Sequence, residues 1–495
     1  MKRNKQEHFI LKRILTYAPG TVIPSLLTLI TTAIFTRIFS ASDYGVFGLF
    51  FVIATTFKQL TVMWLHQGIG RFLPSEKTFT GQFQIKVSIL ISSWAIVSME
   101  ILIGVLVLMF VRTLFPFNLQ LFFLPLCLFI IVTSLFDVFG SIFTAELRAR
   151  EFVLYKLLET CLIFLLRLIP VLVLGFSNIR IMFWSVIISD FILLPIVWIK
   201  SDMPSILLLL PALKIKSNWD LVKKFLSYGV PMTFWYLSSI FMDIGDRYII
   251  KYFLGYKELG IYDANYRLIG GFAALIVMPI TLSLHPMLMK IAGSKDDYKI
   301  SDLISIIIEN LFILGVLAVC IIFLFHRDIA HLLLGNDFRS GSQIMPIVLA
   351  GIVFFNIGTY AHKPFEIEKK TKIMVIISAI SAVVNLIINF ILIPTIGYIG
   401  AAYSTFIAYF FYTIVTGSLG RKLINWNIQW KQVLQGLLFL VICTLFISFT
   451  RSWVDNSFSM RLGFYISILL ACTVSGITLL KVYRKVHDNS SLDLE

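Results

Sequence analysis

Apolar stretches of roughly twenty residues, the length a helix needs to cross the hydrocarbon core of a bilayer, recur along the whole 495-residue chain. This repetition constrains the fold more than any other feature. The stretches lack the alternation, over segments of about ten residues, that marks the strands of a membrane barrel. They are therefore read as helices. Composition agrees: 58% of residues are hydrophobic and 14% charged, against about 45–50% and about 25% in soluble domains. A soluble fold of this length has no way to bury so much apolar surface, so the sequence predicts an all-α, polytopic integral membrane protein.

Fourteen spans are expected, near residues 15–39, 44–65, 85–111, 118–143, 153–175, 181–199, 226–247, 263–290, 303–325, 343–362, 373–393, 398–418, 433–450 and 462–481. Basic residues orient them, because they mark cytoplasmic loops. With a cytoplasmic N-terminus, 29 of the 42 Lys and Arg fall in the even-numbered connections and the two termini, and 10 in the odd-numbered connections. The remaining three, Lys58, Arg167 and Arg267, lie well inside spans, residues near span ends being counted with the adjoining connection or terminus. This bias predicts both termini inside, and one span more or fewer would scramble it.

The basic segment Met1–Arg13 runs into an apolar stretch longer than a signal peptide with no small-residue cleavage site, so a retained helix is expected. The net charge of +15 follows from the short basic loops and is not read as a nucleic-acid surface. Cys127, Cys161, Cys320, Cys443 and Cys472 all fall in spans and are expected to be small buried apolar residues rather than a disulfide frame or metal site. The connection 200–225 contains Ile206–Leu210 followed by Lys214, Lys216, Lys223 and Lys224. Too short to span, it reads as an interfacial segment joining two lobes.

An internal repeat supports two lobes. Leu15-Thr16-Tyr17 opens the first span and Leu226-Ser227-Tyr228 the seventh, with Arg37 twenty residues after Tyr17 and Arg247 nineteen after Tyr228. Then come Asp43-Tyr44-Gly45-Val46-Phe47 and Glu258-Leu259-Gly260-Ile261-Tyr262, sharing an acid, a Gly, a β-branched residue and an aromatic. An even number of spans separates the copies, so they run in the same direction, as parallel repeats about an axis along the membrane normal. The expected organisation is an N-terminal lobe (1–212), a C-terminal lobe (213–422) around a shared central cavity, and two extra helices with a tail (423–495).

Tyr17-Ala18-x-Gly20, Thr36-Arg37-Ile38-Phe39, Ser42-x-Tyr44-Gly45 and Gly70-Arg71-Phe72-Leu73 resemble the opening of polysaccharide biosynthesis proteins. These are the O-antigen and capsule flippases of the multidrug/oligosaccharidyl-lipid/polysaccharide exporter superfamily. Tyr228-Gly229-Val230-Pro231, Asp246-Arg247-Tyr248, Gly260-Ile261-Tyr262, Pro394-Thr395-Ile396-Gly397 and Gly400-Ala401-Ala402 resemble the same family. The resemblance covers residues 10–420. It implies a non-enzymatic transporter in the bacterial cytoplasmic membrane, flipping an undecaprenyl-diphosphate-linked oligosaccharide outward for surface polysaccharide assembly. Membrane lipids, and a polysaccharide polymerase with chain-length machinery, are the partners it implies. A multidrug/cation antiporter and a peptidoglycan lipid-precursor flippase of the same superfamily are the alternatives. A membrane polymerase or ligase ranks lower, because the odd-numbered loops are short.

Ionisable residues within spans are costly and point to function. Lys58, among Thr55, Thr56, Gln59 and Thr61, is read as a point charge for the diphosphate, with pairing to an acid on another helix as the alternative. Arg267 is a second diphosphate candidate, able to give two parallel hydrogen bonds, with pairing to Asp243 or Asp246 as its alternative. Arg37, Arg247 and Arg71 complete the candidate set, each with a structural reading as an anchor or local pair. Arg167 and Asp190 are expected to pair across adjacent helices, with Glu159 joining them. Glu309 and His285 are candidates for a coupling proton. No Gly-x-x-x-x-Gly-Lys-[Ser/Thr] loop or His-Glu-x-x-His motif occurs, and Asp296-Asp297 reads as a solvated turn. No cofactor is expected beyond a coupling ion, proton or sodium.

Overall fold

A computed structural model describes residues 19–428, apart from 115–116, 147, 177, 293–296 and 369. Among these residues the regular structure is helical: α1 (Pro19–Ile38), α2 (Ala41–Phe72), α3 (Phe79–Leu114), α4 (Phe123–Ala145), α5 (Ala149–Leu172), α6 (Ile181–Lys200), α7 (Lys216–Ile244), α8 (Asp246–Leu254), α9 (Tyr256–Ala292), α10 (Asp297–Leu333), α11 (Met345–Ala361), α12 (Thr371–Ile396) and α13 (Tyr398–Gly420). Each of the first twelve expected spans coincides with a helix, α7 and α8 together forming the seventh. The last two expected spans lie outside the described residues.

Among the described residues, eight helical stretches are long and apolar enough to cross a membrane by length and composition. Helix α5 is not among them, and it carries Lys156, Glu159 and Arg167.

Local chemistry sets the turns. Ser40 opens α2 by accepting the Asp43 amide at 3.2 Å on its hydroxyl, satisfying one of the orphan donors of a helix start. Gly397, at φ 70°, reverses the chain between α12 and α13 within one residue, a conformation side chains avoid. The segment Ile206–Leu213 is short and helical, with Leu207 and Leu210 exposed, as an interfacial segment requires. Around it Lys86 holds Glu146 at 2.8 Å, while Arg148 reaches Glu146, Glu151 and Asp202. Of the cysteines described, Cys161 is exposed and Cys127 and Cys320 are half-buried. The expectation of buried thiols fails here because α5 turns one face outward.

Helix α2 is the central ridge. It packs on α4 within the first half of the chain and on both α7 and α9 of the second half, while α1 also packs on α9. In the second half α13 packs against α11 and α12. Two close crossings mark α2. Near its start, a Cβ on Gly45 would overlap the Tyr256 carbonyl of α9, and one on Gly260 would overlap the Ala41 carbonyl. Near its end, a Cβ on Gly229 of α7 would overlap the Trp64 carbonyl, and one on Gly68 would come within 3.0 Å of the Phe225 side chain. Only glycine permits such backbone approach.

Candidate functional site

Between the two crossings, polar side chains gather in two clusters. The first lies among α2–α6. Lys58 Nζ is 2.6 Å from Asp137 Oδ2 of α4. One turn on, Thr61 donates to Glu100 at 2.6 Å and Ser134 to the same carboxylate at 2.8 Å. Lys156 of α5 holds Glu159 at 2.7 Å. Lys58 is thus partnered by an acid on another helix, the alternative weighed from sequence.

The expected Arg167–Asp190 pair is not formed, and the helix register explains why. Arg167 donates to Ser185 Oγ at 2.9 Å and to the Met182 carbonyl at 3.3 Å. Ser189 donates to the Glu159 carbonyl at 3.3 Å. Antiparallel α5 and α6 therefore set 167 against 182–185 and 159 against 189. Asp190 sits five residues past Ser185, roughly 7.5 Å along the axis, beside Glu159 instead. Glu159 is bound to Lys156 and not to Arg167. Asp190 is 1% exposed, and its Oδ1 has no hydrogen-bond partner among the described residues.

The second cluster is built by the break between α7 and α8 and by the start of α9. Arg247 donates to Asp263 at 2.8 Å, to Asp246 at 3.1 Å and to the Asp243 carbonyl at 2.7 Å. Its guanidinium lies 4.5 Å from the Tyr266 ring centroid. Tyr262 donates to Asp246 and Tyr266 to Asp243. Arg267 takes Asp263 at 2.5 Å, not Asp243 or Asp246. The four-residue spacing from Asp263 stacks the two on one helical face. Its guanidinium also crosses to α2, 4.5 Å from the Phe51 ring centroid and 5.3 Å from that of Phe47. These aromatic faces are what a cation seeks away from water.

The repeat-related arginines do different things. Arg247 is buried, whereas Arg37 is exposed and caps the end of α10, donating to the Leu332 carbonyl at 2.5 Å and the Leu333 carbonyl at 3.5 Å. Gly335 N donates to Thr36 Oγ1 at 3.1 Å beside it. Arg71, at the other end of α2, is exposed with its guanidinium 5.7 Å from the Tyr228 ring centroid. Glu309 is half-buried in α10, apart from both clusters in sequence. The His285 side chain and Asp296 lie outside the described residues, and Asp297 opens α10 rather than lying in a turn.

Asp137, Glu100 and Lys156 were not singled out from sequence. Asp137 and Glu100 are single acids inside otherwise apolar spans, a signal as strong as Lys58's. Lys156, which the charge count groups with the preceding connection, lies two turns into α5 and faces Glu159.

Comparison with known proteins gives this arrangement its context. The model of the polysaccharide biosynthesis protein family matches residues 10–292, and the MatE model matches 231–391. Over 197 residues the chain is 21% identical to a probable low-salt glycan biosynthesis flippase of Haloferax volcanii, covering 40% of this chain and 42% of that one. The chain thus spans less than half of the length of that curated relative. In fold it is similar to a lipid II flippase in an inward closed conformation, with TM-score 0.73 and 17% identity over 95% of this chain and 100% of that one. It is also similar to an inward-facing multidrug resistance transporter of the MATE family, with TM-score 0.64 and 16% identity over 81% and 94%. With more than half of its length matched by the family model, the chain is a multi-pass membrane protein that belongs to the polysaccharide biosynthesis protein family of the multidrug/oligosaccharidyl-lipid/polysaccharide exporter superfamily.

Proposed function

We propose that this protein flips an undecaprenyl-diphosphate-linked oligosaccharide across the bacterial cytoplasmic membrane, from the cytoplasmic to the outer leaflet, for surface polysaccharide assembly. In this reading α1–α6 and α7–α13 are two lobes that alternate access to the space between them. Both termini face the cytoplasm, which puts the Gly45–Gly260 crossing outside and the Gly68–Gly229 crossing inside. A hydrated sugar and a charged diphosphate cannot enter hydrocarbon unaided. A polar interior that presents Lys58 and Arg267 shelters the head while the lipid tail stays in the bilayer.

The observation that carries the reading is the placing of Arg267 against α2. Its guanidinium reaches Phe51 from the opposite half of the chain, and Lys58 lies seven residues further along α2, two turns or roughly 10 Å. Two cations from the two halves thus flank one stretch of one helix, a spacing suited to a diphosphate. Asp137 and Asp263 hold them until substrate phosphate displaces the carboxylates. Arg71 meets the headgroup at the inner mouth, and Arg247 and Arg37 act by positioning. The coupling ion, proton or sodium, is assigned to Glu159 and Asp190, where a buried carboxylate oxygen lacks a partner.

Neutralising the two cations tests the site. Lys58→Ala and Arg267→Ala at normal membrane abundance are expected to cut surface polysaccharide export by about tenfold or more each, the scale of a lost charge-assisted phosphate contact. Normal export from both sinks the diphosphate site. Reconstituted, folded protein that fails to move a labelled lipid-linked oligosaccharide sinks the flippase reading itself.

A further inference from the structure

The two copies of the sequence repeat meet at their glycines. Gly45 of α2 sits on the carbonyl of Tyr256, four residues before Gly260, and Gly260 of α9 sits on the carbonyl of Ala41, four residues before Gly45. The same surface is used on both sides, as in a contact across a two-fold axis. The next turn continues it, since a Cβ on Gly48 would come within 2.8 Å of Asp263 Oδ2.

We propose that this reciprocal glycine crossing is the outer seal of the transport cycle. Resting on the orientation and alternating-access reading above, α2 parts from α9 about Gly45 and Gly260 to open outward, while its crossing on α7 stays shut. Three observations place the seal there. At the two glycines the contact is backbone against backbone, with no side chain between the helices. Other links at that end include the caps Arg37 to Leu332 and Leu333 and Gly335 to Thr36, which water at a membrane surface can replace, and the Tyr44 ring set edge-on to Phe338 at 5.6 Å. A second crossing of the same kind closes the opposite end of α2, where Gly229 lies on Trp64 and the Phe72 and Phe225 rings stack at 5.7 Å. Lys58 lies on α2 between the two, so the structure is closed on both sides of it.

A methyl group at either glycine is a wedge that no side-chain rotation relieves, because the obstructing atom is a carbonyl oxygen. The test places a reporter cysteine at Thr55→Cys, one turn past Phe51 on the same face of α2, with the five native cysteines replaced. A membrane-impermeant maleimide is then added outside intact cells. Gly45→Ala and Gly260→Ala are expected to raise the labelling rate about tenfold over the parent. Arg37→Ala, which loosens the same end without adding bulk, raises it in the same direction, and Gly229→Ala does not. Should the first two variants fail to reach the membrane, Gly48→Ala and Arg37→Ala carry the test, since Gly48 meets the Asp263 side chain rather than backbone. Unchanged labelling in abundant variants, or an equal rise with Gly229→Ala, overturns the seal. Faster labelling in a protein that reconstitutes without moving a lipid-linked oligosaccharide supports the seal and sinks the flippase reading instead.

Discussion

Lys58, Lys156, Arg247 and Arg267 each hold a carboxylate between the helices, so a phosphate group entering there competes with side chains already in place. Removing one partner leaves the other buried alone, which is costlier than removing both. Lys58→Ala is expected to destabilise the protein by about 2 kcal/mol, less than the ~3–5 kcal/mol of a fully buried pair, because Asp137 is 29% exposed. The double change Lys58→Ala/Asp137→Ala should recover part of that loss, as read from thermal unfolding in detergent, and simple additivity would refute the pairing. Asp190 makes a separate prediction. Asp190→Asn should leave the protein folded but abolish the stimulation of flipping by an ion gradient across proteoliposomes; retained stimulation removes Asp190 from coupling. From sequence Lys58, Arg247, Arg267 and Asp190 are visible as charges at a depth along a helix, but the acid or base that each one meets is not. The Arg167–Asp190 pairing failed because similar depth does not fix register, and five residues along α6 moved Asp190 to Glu159.

At the scale of elements, helix ends and crossings carry the specificity. The Ser40 cap and the glycine at 45 begin α2 where it meets α9. Ser40→Ala should lower stability by about 1 kcal/mol and Ser40→Thr by less, measured as the shift in melting temperature; equal losses would mean the hydroxyl is not acting as a cap. Helix positions were legible because apolar runs of membrane length have few other solutions. The discontinuity at Gly245, which sets Asp246 and Arg247 beside Asp263, was not. It depends on what α9 presents to α8, not on any local periodicity.

For the whole molecule, the asymmetry of Lys and Arg predicts an orientation that impermeant labelling can check. In intact cells a cysteine at Asp337→Cys should label from outside and one at Lys214→Cys should not. The reverse pattern would overturn the cytoplasmic placing of the termini and exchange the two seals. Sequence by itself determined that the chain is helical and polytopic, where its first twelve expected spans run, and which residues break the apolar rule. Each of those rests on the short-range physics of burying backbone in lipid. Only the tertiary structure decided which charges neutralise one another, that Arg267 reaches across to α2, and that the repeated glycines close on each other. Those outcomes depend on the register and approach of helices hundreds of residues apart, and no local pattern in the chain records them.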